Sequence, residues 1–264
     1  MTIAAWADGR PWSVELQHSR DYHTLIWQTR GQTRSVIEGL RRGIGAHNVL
    51  VIPAGTMFSI EMSRQSFGQV CLIPTGTSLL MPDAPLLLSI QDVRNQAELT
   101  GILEAMLREQ SQTSPFEDEA LSAHGALLTI WLRRAMLRHA SPPNRQTAAQ
   151  KLMRAFAALA ERDHASGRPM ADYAKTLGVT PTHLSRVCKQ ATGLTAADVL
   201  VQRCLHAARS LLEDSDRAIT QIAAELGFTS GAYFSRFVQH HTGASPSALR
   251  KAAKARRSVD VAKS

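Results

Sequence analysis

Residues 170–193 read MADYAKTLGVTPTHLSRVCKQATG, and residues 219–243 read ITQIAAELGFTSGAYFSRFVQHHTG. The second stretch is an imperfect copy of the first. Met170, Tyr173, Ala174, Leu177, Gly178 and Val179 return 49 residues later as Ile219, Ile222, Ala223, Leu226, Gly227 and Phe228. Leu184, Ser185, Arg186, Val187, Cys188 and Gly193 return 50 residues later as Phe234, Ser235, Arg236, Phe237, Val238 and Gly243, so one residue has entered the turn. Two copies fall short of the roughly three that a solenoid needs. A duplicated binding unit is the better reading.

Each copy spells two helices around a sharp turn. Met170, Tyr173, Ala174 and Leu177 recur at the helical period. Gly178 allows the positive φ of the turn. Thr180 caps the next helix, and Pro181 takes its first position, where the missing N–H costs nothing. A helix, a glycine turn and a capped helix together give the helix-turn-helix pattern. Projected at 100° per residue, Leu184, Val187, Cys188 and Ala191 share one side of the second helix. Thr182, Ser185, Arg186 and Lys189 share the other. In the second copy Phe234, Phe237, Val238 and His241 form the inward side, whereas Ala232, Ser235, Arg236 and Gln239 face outward with Tyr233 beside them. Arginine pairs with guanine O6 and N7, hydroxyls serve several base edges, and a lysine near a helix end suits a phosphate. Between the copies, residues 196–212 read as a helix of about 25 Å, with Val199, Leu200, Arg203, Leu205, Ala208, Leu211 and Leu212 inward. A strut of that size holds two recognition helices about one DNA turn, roughly 34 Å, apart.

Charge follows the same division. The 264-residue chain carries a formal net charge of +8. Residues 145–264 hold 18 Lys and Arg against 9 Asp and Glu, whereas residues 1–144 hold 12 against 13. Concentrating the surplus in the repeat-bearing half points to a polyanionic partner there. With 44% hydrophobic and 20% charged residues the chain is globular. The start MTIAAWADGR lacks a basic region followed by an apolar one, no window spans a membrane, and Cys71, Cys188 and Cys204 have no metal-ligand spacing. These features indicate free thiols and a cytoplasmic protein with no membrane partner.

The first 140 residues follow another period. Short apolar runs at 24–29, 34–38, 48–53, 57–62 and 69–74 alternate with Gly and Pro turns, which predicts a small β-sandwich or barrel. Helices follow at about 94–110 and 117–139, the first with Leu99, Ile102, Leu103, Met106 and Leu107 on one face. The second helix carries Leu121, His124, Leu128, Trp131, Leu132 and Ala135 on its apolar face. They pack on the sheet or meet a second subunit. Ala140-Ser141-Pro142-Pro143-Asn144 marks a linker at 141–146.

Residues from about 150 to 252 resemble the DNA-binding domain of the AraC/XylS family of bacterial transcription regulators. The resemblance rests on Leu205-x-x-Ala208-x-x-Leu211-Leu212, Ile219-x-x-Ile222-Ala223-x-x-Leu226-Gly227-Phe228, the YFSRF run at 233–237, Gly243, and Ser245-Pro246-x-x-x-Arg250. It departs from the family at Cys204, at Val238-Gln239-His240 and at Thr242. It implies a 147–255 domain, with units at about 170–191 and 219–241, that binds double-stranded promoter DNA. Thr182, Ser185 and Arg186 would read bases in the first unit. Ala232, Tyr233 and Arg236 would sit at the groove in the second, with Lys189 and Gln239 alongside. The 256–264 tail is a basic extension. RNA polymerase and a small-molecule effector are further partners in such a scheme.

The N-terminal half resembles the cupin-like sensor domains that precede such DNA-binding domains, through His23, Arg30-Gly31, Gly39, Gly45 and Pro53-Ala54-Gly55. The overall class is therefore α+β: a cupin-like sandwich or barrel with accessory helices, then an all-α domain. His23, Trp27, Arg30 and Phe58 are candidate ligand-lining residues, and the accessory helices are the candidate homodimer contact. Metal-binding cupins need an imidazole cluster. This half has no His-x-His, and Met57-Phe58 stand where a later histidine would fall, so no metal, cofactor or enzymatic activity is expected.

Overall fold

The computed structural model describes residues 1–7, 9–63, 65–112, 115–138 and 146–261. Two short helices, α1 (Ile3–Trp6) and α2 (Trp12–Glu15), precede seven strands. These are β1 (Tyr22–Arg30), β2 (Thr33–Ile37), β3 (Leu40–Ile44), β4 (Asn48–Ile52), β5 (Phe58–Met62), β6 (Phe67–Pro74) and β7 (Leu86–Ser89). They form two antiparallel sheets, ordered β6-β1-β4-β7 and β3-β2-β5. Ile26, Leu50, Ile52 and Val70 of the first sheet meet Ile37, Ile44, Phe58 and Ile60 of the second in one core. Side chains alternate along β1, so Leu25 and Trp27 point the other way. There they meet α3 (Val93–Gln112) and α4 (Glu117–Arg138), which bury Leu99, Leu103, Leu128, Trp131, Leu132 and Ala135 against the sheet. The accessory helices therefore pack within the chain. Leu121 and His124 of the expected face are only half-buried, and Leu107 is exposed.

The five apolar runs are all strands. Strand β3 had no place among them, because LRRGI has two arginines and a glycine in five residues and sits at a sheet edge. β7 is four residues long and was not foreseen either. The expected linker 141–146 lies outside the described residues except for Gln146.

Seven helices follow: α5 (Ala148–Asp163), α6 (Met170–Thr176), α7 (Pro181–Thr192), α8 (Ala196–Asp214), α9 (Ile219–Glu225), α10 (Gly231–Thr242) and α11 (Pro246–Val261). They surround two cores. Phe156, Tyr173, Ala174, Leu184, Val187, Cys188 and Val199 fill the first, to which β3 and the β4–β5 turn add Leu40 and Met57. Ala208, Leu212, Ile222, Ala223, Leu226, Phe234 and Val238 fill the second. Helix α8 contributes to both. Its 19 residues make a strut of about 28 Å at 1.5 Å per residue.

Two expectations are corrected here. His241, expected inward, is exposed and meets Phe237 only at its ring edge, with centroids 4.8 Å apart. It sits in the last turn of α10, where its other ring neighbour is His240. The basic extension is no loose tail as far as Val261, because α11 docks on the end of α8. Arg257 donates to the Glu213 carbonyl at 2.7 Å and Arg250 to the Leu212 carbonyl at 3.4 Å, satisfying carbonyls that a helix end leaves open. Arg256 reaches the buried Glu213 carboxylate at 2.7 Å, and Arg209 holds its other oxygen at 2.8 Å.

Candidate nucleic-acid interface

The two units are built by the same local devices. Thr180 Oγ1 accepts from the His183 amide at 3.2 Å, and Ser230 Oγ from the Tyr233 amide at 3.1 Å, so each recognition helix starts at a side-chain cap. Each ends at a left-handed glycine, Gly193 with φ 79° and Gly243 with φ 74°. The residue before that glycine does matching work in both. Thr192 donates to the Cys188 carbonyl at 2.8 Å and accepts from the Leu194 amide at 3.0 Å. Thr242 donates to the Val238 carbonyl at 2.8 Å and accepts from the Ala244 amide at 3.2 Å. Thr242 therefore repeats a device of the first unit. Thr195 and Ser245 then cap α8 and α11, which extends the duplication past the stretch in which the sequence displays it.

The apolar side of α7 is buried through Leu184, Val187 and Cys188, and that of α10 through Phe234 and Val238. On the opposite sides Thr182, Arg186, Lys189, Ala232, Tyr233, Arg236 and Gln239 are exposed and Ser185 is half-exposed. Both recognition faces are open despite the N-terminal half. Arg186 is not isolated: its Nη2 lies 3.2 Å from Nδ1 of His183, an exposed neighbour absent from the candidate set. Its signal was available, since His183 lies one turn before Arg186 on the same helix. Gln239 turns back and donates to the Gly243 carbonyl at 2.9 Å, so its amide serves the helix end. Tyr233 is 53% exposed and its ring stands 5.7 Å from that of Phe228.

Helix α8 is held to α5 by Arg203, whose Nε and Nη2 donate to Glu161 at 2.6 and 2.7 Å. Burial works against charge at Glu161, but these hydrogen bonds and the Arg203 charge outweigh it and hold the carboxyl below its ordinary range. Cys204, the departure beside Arg203, donates its thiol to the His164 carbonyl at 3.2 Å. Burial pushes the Cys204 and Cys71 thiols up to about 11 and that of Cys188 up to about 12, and all three are free.

The four ligand-lining candidates are not brought together. His23 Nδ1 accepts from the Ala54 amide at 3.3 Å. Trp27 is buried under α3 and donates to Thr100 at 3.1 Å. Arg30 stacks on Phe67 at 4.3 Å. Phe58 lies in the core between the sheets, 4.2 Å from the His18 ring. Trp27 and Phe58 thus belong to different cores: Trp27 on β1 points from the first sheet toward α3 and α4, whereas Phe58 on β5 of the second sheet points into the core between the sheets. A cavity of about 590 Å³ lies instead at the seam between β2, β3 and β5 and the α7–α8 turn, with Arg34, Arg41, Arg42 and Glu61 facing Leu194 and Gln202. Arg41 touches the C-terminal cap of α7, where a side chain on Gly193 would strike its guanidinium. No group of three or more His, Cys, Asp or Glu among the described residues is placed to hold a metal ion, and no helix is long and apolar enough to cross a membrane.

Residues 173–252 match the family model described as a helix-turn-helix domain. The HTH-type transcriptional regulator GlxA of Rhizobium meliloti (strain 1021) is 30% identical over 127 residues, 46% of this chain and 39% of that protein. The Msm operon regulatory protein of Streptococcus mutans serotype c is 29% identical over 80 residues, 30% of this chain and 29% of that protein. The chain thus spans well under half the length of these curated relatives. Among solved structures, ToxT from Vibrio cholerae strain SCE256, crystallised with an unsaturated fatty acid, aligns over 88% of this chain and 87% of its own at 16% identity, with a TM-score of 0.42.

Proposed function

We propose that the chain is a sequence-specific transcription regulator whose C-terminal half is a helix-turn-helix DNA-binding domain of the AraC/XylS type, a reading supported by the family match at residues 173–252 and by the likeness to GlxA. One observation carries the reading. Two recognition helices with matching caps expose Ser-Arg pairs at equivalent positions, Ser185-Arg186 and Ser235-Arg236, on units joined by one rigid helix. Arg186 and Arg236 read bases, Thr182 and Ser185 add hydroxyl contacts, and Lys189 takes a phosphate. Ala232 and Tyr233 offer apolar contact in the second groove, and Gln239 only steadies the end of its helix. Residues 1–140 form the sensing and dimerising part, 147–255 the DNA-binding part, and 141–146 the joint.

A small-molecule effector is assigned to the seam cavity beside Arg41, because an occupant there touches both the sheet and the cap of α7. The competing reading, a regulator with no effector whose first half only oligomerises, is favoured by a separate observation. On α4, Leu127, Ile130 and Leu137 are 51%, 41% and 81% exposed and share one face. Such a stripe fits a second copy of the chain. Selection of bound duplexes from random DNA by the full-length protein tests the main reading. Two short motifs about one helical turn apart are expected, and the absence of enrichment rejects it. Thermal shifts across a metabolite panel separate the two roles of the first half.

A further inference from the structure

The N-terminal segment lies along α8 and touches it repeatedly. Arg10 pairs with Asp214 at 2.7 Å, Trp12 stacks under Arg209 at 4.3 Å, and the Ser13 carbonyl meets His206 Nε2 at 3.1 Å. At the centre of this contact the His18 and His206 rings stack, centroids 4.4 Å apart and planes within 8°. His18 is 0% exposed and His206 5%.

The hydrogen bonds fix the protonation of both rings. His18 Nδ1 lies 2.8 Å from the Leu16 carbonyl, and a carbonyl only accepts, so Nδ1 carries the proton. His206 Nε2 carries its proton toward Ser13 by the same argument. His18 Nε2 is then a bare lone pair, buried and without a hydrogen-bond partner. A proton added there finds no acceptor. The nearby fixed charges are cationic, Arg20 from the segment before β1 and Arg203 from α8; Arg209 of α8 lies over Trp12 and is paired with Glu213, and the His164 ring after α5 is itself held toward its neutral form by burial. The nearby carboxylate on α5, Glu161, is occupied by Arg203. On the β5 side the neighbour is the Phe58 ring. Neither imidazole has a carboxylate as ion-pair partner among the described residues.

We propose that the His18–His206 stack is an acid-released latch between the N-terminal half and the helix that joins the two DNA-binding units. The closed seam accepts both rings only as neutral imidazoles, whereas an opened seam gives each back to water. Burial, reinforced by the neighbouring cations, lowers His206 to about 3 and His18 well below its ordinary value. The sign follows from linkage. A histidine whose closed-state value is depressed leaves closure unaffected above the open-state value of about 6.5, and weakens it as pH falls below that. At pH 5.5 each ring favours opening by about 10-fold, and the pair by about 100-fold. Mild acid therefore shifts the balance toward the open seam by charging the rings that opening returns to water.

Hydrogen exchange of the full chain, corrected for intrinsic rates, reads the latch directly. Between pH 7.5 and 5.5 the amides of residues 12–20 in the wild type should lose about 100-fold of protection. His206→Gln and His18→Asn each keep the donating nitrogen and remove the titration. Each single variant should reduce the loss to about 10-fold, and the double variant should abolish it. Equal loss in the double variant and the wild type assigns the acid response to His164 or to carboxylates and overturns the proposal, as does a wild type with no loss. If the variants fail to fold, ring carbon NMR of wild-type histidines decides. Two rings neutral in the closed form should gain charge only as the segment opens. A ring that titrates near 6.5 with the segment still protected refutes the latch.

Discussion

Replacing Arg186 and Arg236 by alanine, singly and together, tests the interface most directly. Both positions are exposed on helices whose cores lie on the opposite side. Alanine has the highest helix propensity, so the folded state survives. A guanidinium on guanine O6 and N7 is worth about 1–3 kcal/mol of discrimination, or roughly 5- to 150-fold at about 1.4 kcal/mol per tenfold. Arg186 must give up its contact with His183 to dock, which places it toward the lower end. Arg236 has no hydrogen-bond or ion-pair partner among the described residues, which places it toward the upper end. The readers belong to separate cores, so their losses should add. The double variant should lose about 2–6 kcal/mol on the selected site and little on random DNA. The assay is competitive titration against a panel in which each base pair of that site is changed in turn. Each single variant should become indifferent at one position and stay selective elsewhere. Unchanged preference at every position in both variants would refute the assignment of base reading to these arginines.

Lys189→Ala should weaken specific and random duplexes alike and reduce the slope of log affinity against log salt by about 0.9, the share of one phosphate; an unchanged slope removes Lys189 from the backbone contacts. Arg203→Met breaks a bidentate pair whose side chains are 11% and 17% exposed and leaves Glu161 charged in a confined site, a loss of about 3–5 kcal/mol measurable by urea unfolding. Because Glu161 is held below its ordinary range, the pair's contribution is present above the free carboxyl value and fades as pH falls through the bound one. Leu127→Glu with Ile130→Glu should convert a dimer to a monomer in sedimentation without lowering Tm, since both side chains are exposed; a dimer that persists rejects the α4 stripe. Gly227→Ala should destabilise more than Gly178→Ala. Both have positive φ, but a methyl on Gly227 falls 2.6 Å from the Ala165 carbonyl oxygen, while one on Gly178 meets nothing within 4 Å. Gly178→Ala should cost only about 1–2 kcal/mol of backbone strain.

The helical half was legible because its signals are local. Apolar spacing, the Thr180 and Ser230 caps and the glycine turns each span a few residues, and α7, α8 and α10 begin and end within about two residues of where those signals put them, whereas α11 reads in the sequence only as a basic extension. The N-terminal half was legible only in outline. Apolar runs revealed five strands but not β3, whose arginines face the seam cavity, nor short β7. The four ligand candidates share a chemistry but not a site, because Trp27 and Phe58 lie in different sheets and which core each faces depends on how the sheets stack. His241 continues the inward stripe of its helix but lies in the last turn, where the structure leaves it exposed. The seam itself was invisible. His18 and His206 are 188 residues apart in sequence, and nothing near either announces the other.

The duplication explains which of these features are shared and which belong to one copy. What repeats is what any such unit needs by itself: a capped start, a threonine-and-glycine end and a buried apolar side. What differs is set by neighbours. The turn at Gly178 is open, whereas the turn at Gly227 is pressed against the loop from Ala165 to Gly167. The first reader helix has its C-terminal cap covered by Arg41 of β3, and the first core admits Leu40 and Met57 from the sheets. The second core takes no sheet residue among the described residues, and its ties to the N-terminal segment run through the last turns of α8. The two readers are thus coupled to the first half by different routes, one through the end of α7 and one along α8. On the proposed readings, an occupant of the seam cavity would meet the end of α7, and release of the histidine stack would free the N-terminal segment from α8.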